Sequence, residues 1–193
     1  MGDAIGIVEC NRACLDTVKE ILKSSVGWYH SYFASTCIEE GICRVLIASE
    51  SGVDIGTAVF YEALTKPFPT TVIYYVAVNS AFRGRGVGKA LVASVESLFD
   101  DNSRVFLATT RESNTPSRRL FQGLGYNEVH IELLEGMVAE VIEKLTCSYE
   151  DDVVLFKGVK DIDTFAHFHE NLIVAEKTWE KVCYEPWKRL RRP

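Results

Sequence analysis

Val76-Ala77-Val78-Asn79-Ser80-Ala81-Phe82-Arg83-Gly84-Arg85-Gly86-Val87-Gly88-Lys89 runs from an apolar strand into three glycines at alternate positions, and a helix opens immediately after them. Glycine lets the backbone approach a ligand and adopt positive φ without a Cβ clash. The unpaired N–H groups of a helix's first turn, with the positive end of its dipole, make an anion site. Arg83, Arg85 and Lys89 add positive charge to a chain whose net charge is −6. The plain alternative is a strand-to-helix turn with solubilising arginines. A P-loop needs Gly at position 83 and Ser or Thr after Lys89, but Arg83 and Ala90 stand there. A dinucleotide fingerprint starting at Gly84 needs Gly or Ala at 89, and Lys89 stands there.

Downstream of the turn, Val87, Leu91, Val95 and Leu98 recur at helical spacing. Upstream, Ala4 to Glu9 alternates like a short strand, and Asn11 is placed to cap a helix through Leu15, Val18 and Leu22. A more aromatic helix is expected from Trp28 to Glu40. Ile42–Ser49 and Val53–Tyr61, rich in β-branched and aromatic residues, flank Glu50-Ser51-Gly52 and predict a hairpin. Pro67 and Pro69 break the chain before a strand over Thr71–Asn79. Beyond the glycine turn come a strand, Arg104–Thr110, and a short helix over Pro116–Leu124 that Gly125 can end. A strand over Glu128–Leu133, a helix over Glu135–Leu145 and a strand over Asp152–Lys157 follow. One long last helix is expected to dock by a stripe of Phe165, Phe168, Leu172, Trp179 and Val182. There is no repeat and no low-complexity linker. The alternation predicts an α/β (α+β) fold: one domain over residues 1–160 around a central sheet, with a C-terminal helix and basic tail over 161–193 packed on it.

At 193 residues the chain suits one domain with additions. Apolar residues at 47% and charged ones at 25% argue against disorder and coiled coil. Net acidity disfavours nonspecific binding to nucleic acid or an anionic membrane, both of which rest on clustered positive charge. No apolar run is long enough to cross a bilayer, and the N-terminus lacks a basic region followed by an apolar stretch. Cys10, Cys14, Cys37, Cys43, Cys147 and Cys183 are scattered and form no CxxC pair. They are expected as small buried thiols in a reducing cytoplasm, with no metal site. His167 and His169 fall two apart in the last helix and point to nearly opposite sides, which suits a solvated helix. The run Lys188-Arg189-Leu190-Arg191-Arg192-Pro193 reads as a solvated basic tail.

The run Ala77 to Gly88, with Arg83, Gly84 and Gly86 in the pattern R-x-x-G-x-G, closely resembles the signature of the GCN5-related N-acetyltransferase (GNAT) superfamily. That family's second motif, roughly N-x-x-A-R-x-L-Y-x-x-x-G-F, resembles Asn114-Thr115-Pro116-Ser117-Arg118-Arg119-Leu120-Phe121-Gln122-Gly123-Leu124-Gly125-Tyr126. One helix and one strand separate the motifs, as in the family. The close match spans Thr71 to Tyr126; the flanks agree in element order only. The resemblance implies a mixed, splayed sheet and acetyl-CoA, or another acyl-CoA, as cofactor. Its pyrophosphate would sit on the N–H groups of Arg85, Gly86, Val87, Gly88 and Lys89, in a loop that also includes Arg83 and Gly84. The pantetheine arm would pair like an extra strand along Val76, Ala77 and Val78, with Asn114 meeting the arm or a bound water and Ser117 beside it. The N–H of Val76 would polarise the thioester carbonyl. A homodimer is also an expectation of the resemblance.

Transfer to an amine needs a neutral nitrogen and a stabilised leaving thiolate. Members of the family often carry a tyrosine acid where this chain has Phe121. The glutamate bases of two branches match Val72 and Thr109 here. Tyr74, expected on the same strand face as Val72, is a candidate to hold a water relay or orient the amine. Glu62, near the end of the preceding strand, is the second catalytic candidate. Packing and solvation are the plain alternatives for both. Trp28, Tyr29, His30, Tyr32 and Phe33 form an aromatic segment in the region where the family builds its acceptor site; helix packing explains them equally well. Three functions therefore stay open: an N-acyltransferase for a small-molecule or peptide amine, an acyl-CoA binder without turnover, and an interaction domain keeping the fold alone.

Overall fold

A computed structural model describes residues 5–10, 12–99 and 103–191. Ala4, the cap expected at Asn11, and Arg192-Pro193 of the basic tail lie outside these residues. Among the described residues, seven strands form one mixed sheet: β1 (Gly6–Cys10), β2 (Arg44–Glu50), β3 (Val53–Ala63), β4 (Thr70–Val78), β5 (Val105–Thr110), β6 (Asn127–His130) and β7 (Val153–Lys157). They are ordered β1-β2-β3-β4-β5-β7-β6. The helices are α1 (Leu15–Val26), α2 (Trp28–Glu39), α3 (Val87–Ser97), α4 (Thr115–Gln122), α5 (Gly136–Thr146), α6 (Glu170–Trp179) and α7 (Glu185–Leu190). The backbone clusters into two compact units, residues 1–61 with 73–100, and residues 62–72 with 101–193.

In the first unit β1 and β2 pair antiparallel from Gly6↔Ser49 to Cys10↔Val45. The expected β2–β3 hairpin forms because Ser51 and Gly52 both take left-handed backbone, φ 51° and 78°. Such a two-residue turn matches the twist of the strands it joins. Ser31 Oγ ties α2 to α1 by donating to the Lys19 carbonyl at 3.0 Å. Helix α3 buries Val87, Leu91, Val92 and Val95. Its close approach depends on Gly56 in β3: a Cβ there would lie 3.0 Å from the Ala77 carbonyl oxygen and 3.2 Å from both the Leu91 and Val87 side chains.

In the second unit β4 and β5 pair parallel over three positions, Thr70↔Val105 to Val72↔Leu107. Strand β7 pairs antiparallel with both β5 and β6. Asn171 on α6 is fully buried, and its carboxamide reads both backbone groups of Lys66: it accepts from the N–H and donates to the carbonyl, each at 2.7 Å. The expected single last helix is instead broken. Asp161 caps a 3-10 turn over Ile162–His167, and its side chain accepts from the Asp163 N–H at 3.0 Å. Phe168 is extended, with φ −124° and ψ 95°. Beyond it, α6 continues through a π-turn over Glu180–Tyr184 into α7, the backbone staying helical at Trp179, Glu180, Tyr184 and Glu185.

The cysteine expectation is wrong. All six pair: Cys10–Cys14, Cys37–Cys43 and Cys147–Cys183, with Cα–Cα distances of 6.0, 5.2 and 6.0 Å. Those spans lie within the range a disulfide can bridge. Each bond closes inside one unit. The first joins β1 to the turn entering α1, the second joins the end of α2 to the residue before β2, and the third joins the end of α5 to the π-turn. With no thiol left, the argument for a reducing cytoplasm loses its premise. No helix among the described residues is long and apolar enough to cross a membrane.

Candidate active site

The β4–α3 turn is built as its glycines require. After a 3-10 turn over Ser80–Phe82, Gly84 and Gly86 take φ of 75° and 83°, and a Cβ on either would point into open space. Gly86 is the N-cap of α3 and brings no side-chain acceptor to it. The first intrahelical bond runs from the Ala90 N–H to the Gly86 carbonyl at 2.9 Å, so the amides of Val87, Gly88 and Lys89 precede the ladder. Gly88 is buried in the first turn of α3, whereas Arg83, Arg85 and Lys89 are exposed.

The arginines are already engaged. Arg83 turns back, and its Nε donates to the Val78 carbonyl at 3.0 Å. Arg85 pairs with Glu50 at 2.5 Å and lies 5.3 Å over the Phe82 ring. Glu50, which no sequence pattern singled out, thus cancels one of the charges counted toward anion binding.

Strand β4 presents its backbone in register with this turn. The Asn79 N–H donates to the Ile55 carbonyl in β3 at 2.9 Å. By strand alternation the N–H groups of Val78 and Val76 point away from β3. The Val78 carbonyl, on that same side, accepts from Arg83 and, at 3.4 Å, from Ser25 Oγ.

One irregularity changes the reading of Tyr74. The rings of Tyr74 and Tyr75 lie 4.2 Å apart and 40° from coplanar. Neighbours in a regular strand point to opposite faces, so the pleat is broken here, as a β-bulge breaks it. Tyr74 also meets Tyr61 edge-on at 5.4 Å. Burial pushes the Tyr74 phenol well above its ordinary pKa, and the neighbouring Tyr75 and Tyr61 add to the rise. Burial raises Tyr61 likewise. At neutral pH Tyr74 is therefore a protonated donor and not a base. Strict strand alternation puts Tyr74 and Tyr75 on opposite faces; the break in the pleat is what brings them together beside Tyr61.

In the second unit Glu62 is committed to Arg104. The guanidinium is buried, and its Nη1 donates to Glu62 at 2.8 Å and to Thr71 Oγ1 at 3.0 Å. Asn114 is the N-cap of α4: its carbonyl oxygen accepts from the Ser117 N–H at 3.3 Å, and its amide donates to Thr110 Oγ1 at 3.0 Å. Arg118 holds Glu128 through two nitrogens, at 2.5 and 3.0 Å, and the Glu112 carbonyl at 3.0 Å. Phe121 is buried edge-on against Tyr126 at 4.9 Å, and Val72 is 1% exposed. Both therefore pack as core residues. His167 closes a 3-10 turn and His169 caps α6, so the two histidines do not share a helix.

Residues 15–126, more than half of the chain, match the model of the Acetyltransferase (GNAT) family. Among solved structures, the aminoglycoside N-acetyltransferase AAC(6')-Iy in complex with CoA aligns at TM-score 0.55 and 22% identity, covering 66% of this chain and 90% of that one. NAA60 of Arabidopsis thaliana, in complex with a bisubstrate analogue, aligns at 0.57 and 17%, covering 79% and 95%. A GNAT-family acetyltransferase from Staphylococcus aureus aligns at 0.57 and 15%, covering 80% and 98%. At these identities the likeness is one of fold. No curated protein sequence matches the chain.

Proposed function

Because the chain belongs to the GNAT acetyltransferase family, we propose that it moves an acetyl group from acetyl-CoA to an amine by direct attack. The observation that carries this reading is the β4–α3 turn, where two positive-φ glycines face open space and the first amides of α3 precede any helical bond. Such a cradle fits a pyrophosphate, because the donors are preformed and no Cβ intrudes. The amides of residues 85–89 and Lys89 hold that group, while Val76 and Val78 offer the strand edge to the arm. Acetyl-CoA supplies an activated thioester. The Val76 N–H, directed away from β3, donates to the carbonyl oxygen on which charge develops. Tyr74, kept protonated, orients the amine or a water beside it. The pairing of every cysteine supports transfer without an acyl-enzyme, since no thiol remains to act as nucleophile.

A binder without turnover is the second reading. It is favoured by the burial of Val72 and Phe121 and by the engagement of Glu62 with Arg104. Two measurements separate the readings. Acetyl-CoA at a hundred times its Kd raises unfolding stability by about 2.7 kcal/mol under both, and by nothing if the chain keeps the fold alone. Thiol release in the presence of a panel of amines, with product mass recorded, occurs only under the first.

A further inference from the structure

An aromatic run leaves the reaction centre and ends in solvent, all within the first unit. Tyr61 meets Tyr74 at 5.4 Å, Tyr74 meets Tyr75 at 4.2 Å, and Tyr75 meets His30 on α2 at 5.6 Å. His30 meets Tyr29 and Tyr29 meets Trp28, both edge-on at 5.8 Å. Its inner end is buried, with Tyr61 1% exposed, whereas Tyr29 is 43% and Trp28 63% exposed. Val26, 41% exposed, adjoins them across Gly27, so the α1–α2 junction shows an apolar patch to water. Core packing accounts for Phe33, which is buried, but not for Trp28 or Tyr29. Contiguous exposed apolar surface of this kind marks a ligand or partner contact. Tyr74, next to Tyr61 in the run, lies two residues, roughly 7 Å along the strand, from Val76.

Resting on the acetyl-transfer reading, we infer that the acceptor is a small amine carried a few bonds from a planar aromatic ring, with the ring taken up against Trp28, Tyr29 and His30. The rings of Tyr75, His30, Tyr29 and Trp28 follow one another at 5.6–5.8 Å, a lining that suits a flat apolar body. Edge-to-face and offset contacts add to the burial of such a ring. The nitrogen then reaches the phenols of Tyr74 and Tyr75, where it is desolvated. Losing water favours its neutral, attacking form.

The test compares phenethylamine with a chain-matched aliphatic amine and with an aminoglycoside, measuring steady-state kinetics at saturating acetyl-CoA. The expected result is a kcat/KM for phenethylamine about tenfold or more above the aliphatic amine, the size of one good ring contact. Trp28→Ala is expected to raise KM for phenethylamine about tenfold while leaving kcat, the aliphatic KM and the acetyl-CoA Kd unchanged; Trp28→Phe restores most of the loss. Equal use of both amines, preference for the aminoglycoside, or a Trp28→Ala that shifts both amines alike overturns the inference. Calorimetry with acetyl-CoA separates the two levels: binding with ring-blind turnover removes only this inference, and no binding removes the acetyl-transfer reading with it.

Discussion

Tyr74 illustrates how much one side chain's surroundings decide. Its phenol sits among other phenols, and desolvation holds its pKa well above the ordinary value, so it keeps its proton across the neutral range. Tyr74→Phe removes a donor and little volume. Turnover should fall by at least about a hundredfold if the hydroxyl relays or orients, while acetyl-CoA affinity stays unchanged. An undiminished kcat would remove Tyr74 from the mechanism. Arg118 and Glu128 illustrate the opposite case, a conspicuous motif residue with structural work. Hydrogen bonding from Arg118 holds the Glu128 carboxyl below its usual pKa. A depressed folded pKa contributes stability above the unfolded value, and that contribution is lost as pH falls through the folded one. Acid denaturation of wild type should therefore show a loss of stability below about pH 4.3 that Glu128→Gln lacks. The glycines at 84 and 86 were legible in sequence because positive φ leaves a compositional trace. Glu50 was not, since nothing local predicts a cross-strand partner for Arg85.

Elements were legible wherever periodicity was clean. The helix beginning at Val87, the β2–β3 hairpin and the strand before the glycines all lie within a residue or two of expectation. Misreading came where local chemistry overrode the pattern. A hydrophobic stripe from Phe165 to Val182 suggests one helix, but extended Phe168 sets a 3-10 turn apart from the helix that begins at Glu170. Two substitutions test how elements are held. Gly56→Ala forces a Cβ to 3.0 Å from the Ala77 carbonyl and against α3, so it should cost about 1–3 kcal/mol and weaken acetyl-CoA binding, as the N-terminus of α3 is displaced. Asn171→Leu keeps the volume but leaves both backbone groups of Lys66 without the carboxamide, at a cost of about 1–3 kcal/mol. Denaturant titration at unchanged slope measures both effects.

For the molecule as a whole, fold class and family were readable from two motifs and the order of elements, while the redox state was not. Sulfur pairing depends on which segments the fold brings together, and spacings of 4, 6 and 36 residues say little about that in advance. Alkylation of the denatured, unreduced protein should label no cysteine, and after reduction it should label all six. Reduction should also lower stability, with the 36-residue separation of Cys147 and Cys183 alone worth about 4 kcal/mol by loop-closure entropy.

The account turns on backbone amides at the start of α3 gripping the diphosphate of a coenzyme A thioester. Calorimetric titration of acetyl-CoA into wild type, Gly86→Asn and Gly86→Asp tests this most directly, because both replacements share the cost of positive φ and only one adds charge. Saturable binding by wild type and Gly86→Asn, with none by Gly86→Asp, is the predicted outcome. Equal binding by all three proteins, or no heat from any of them, would contradict it.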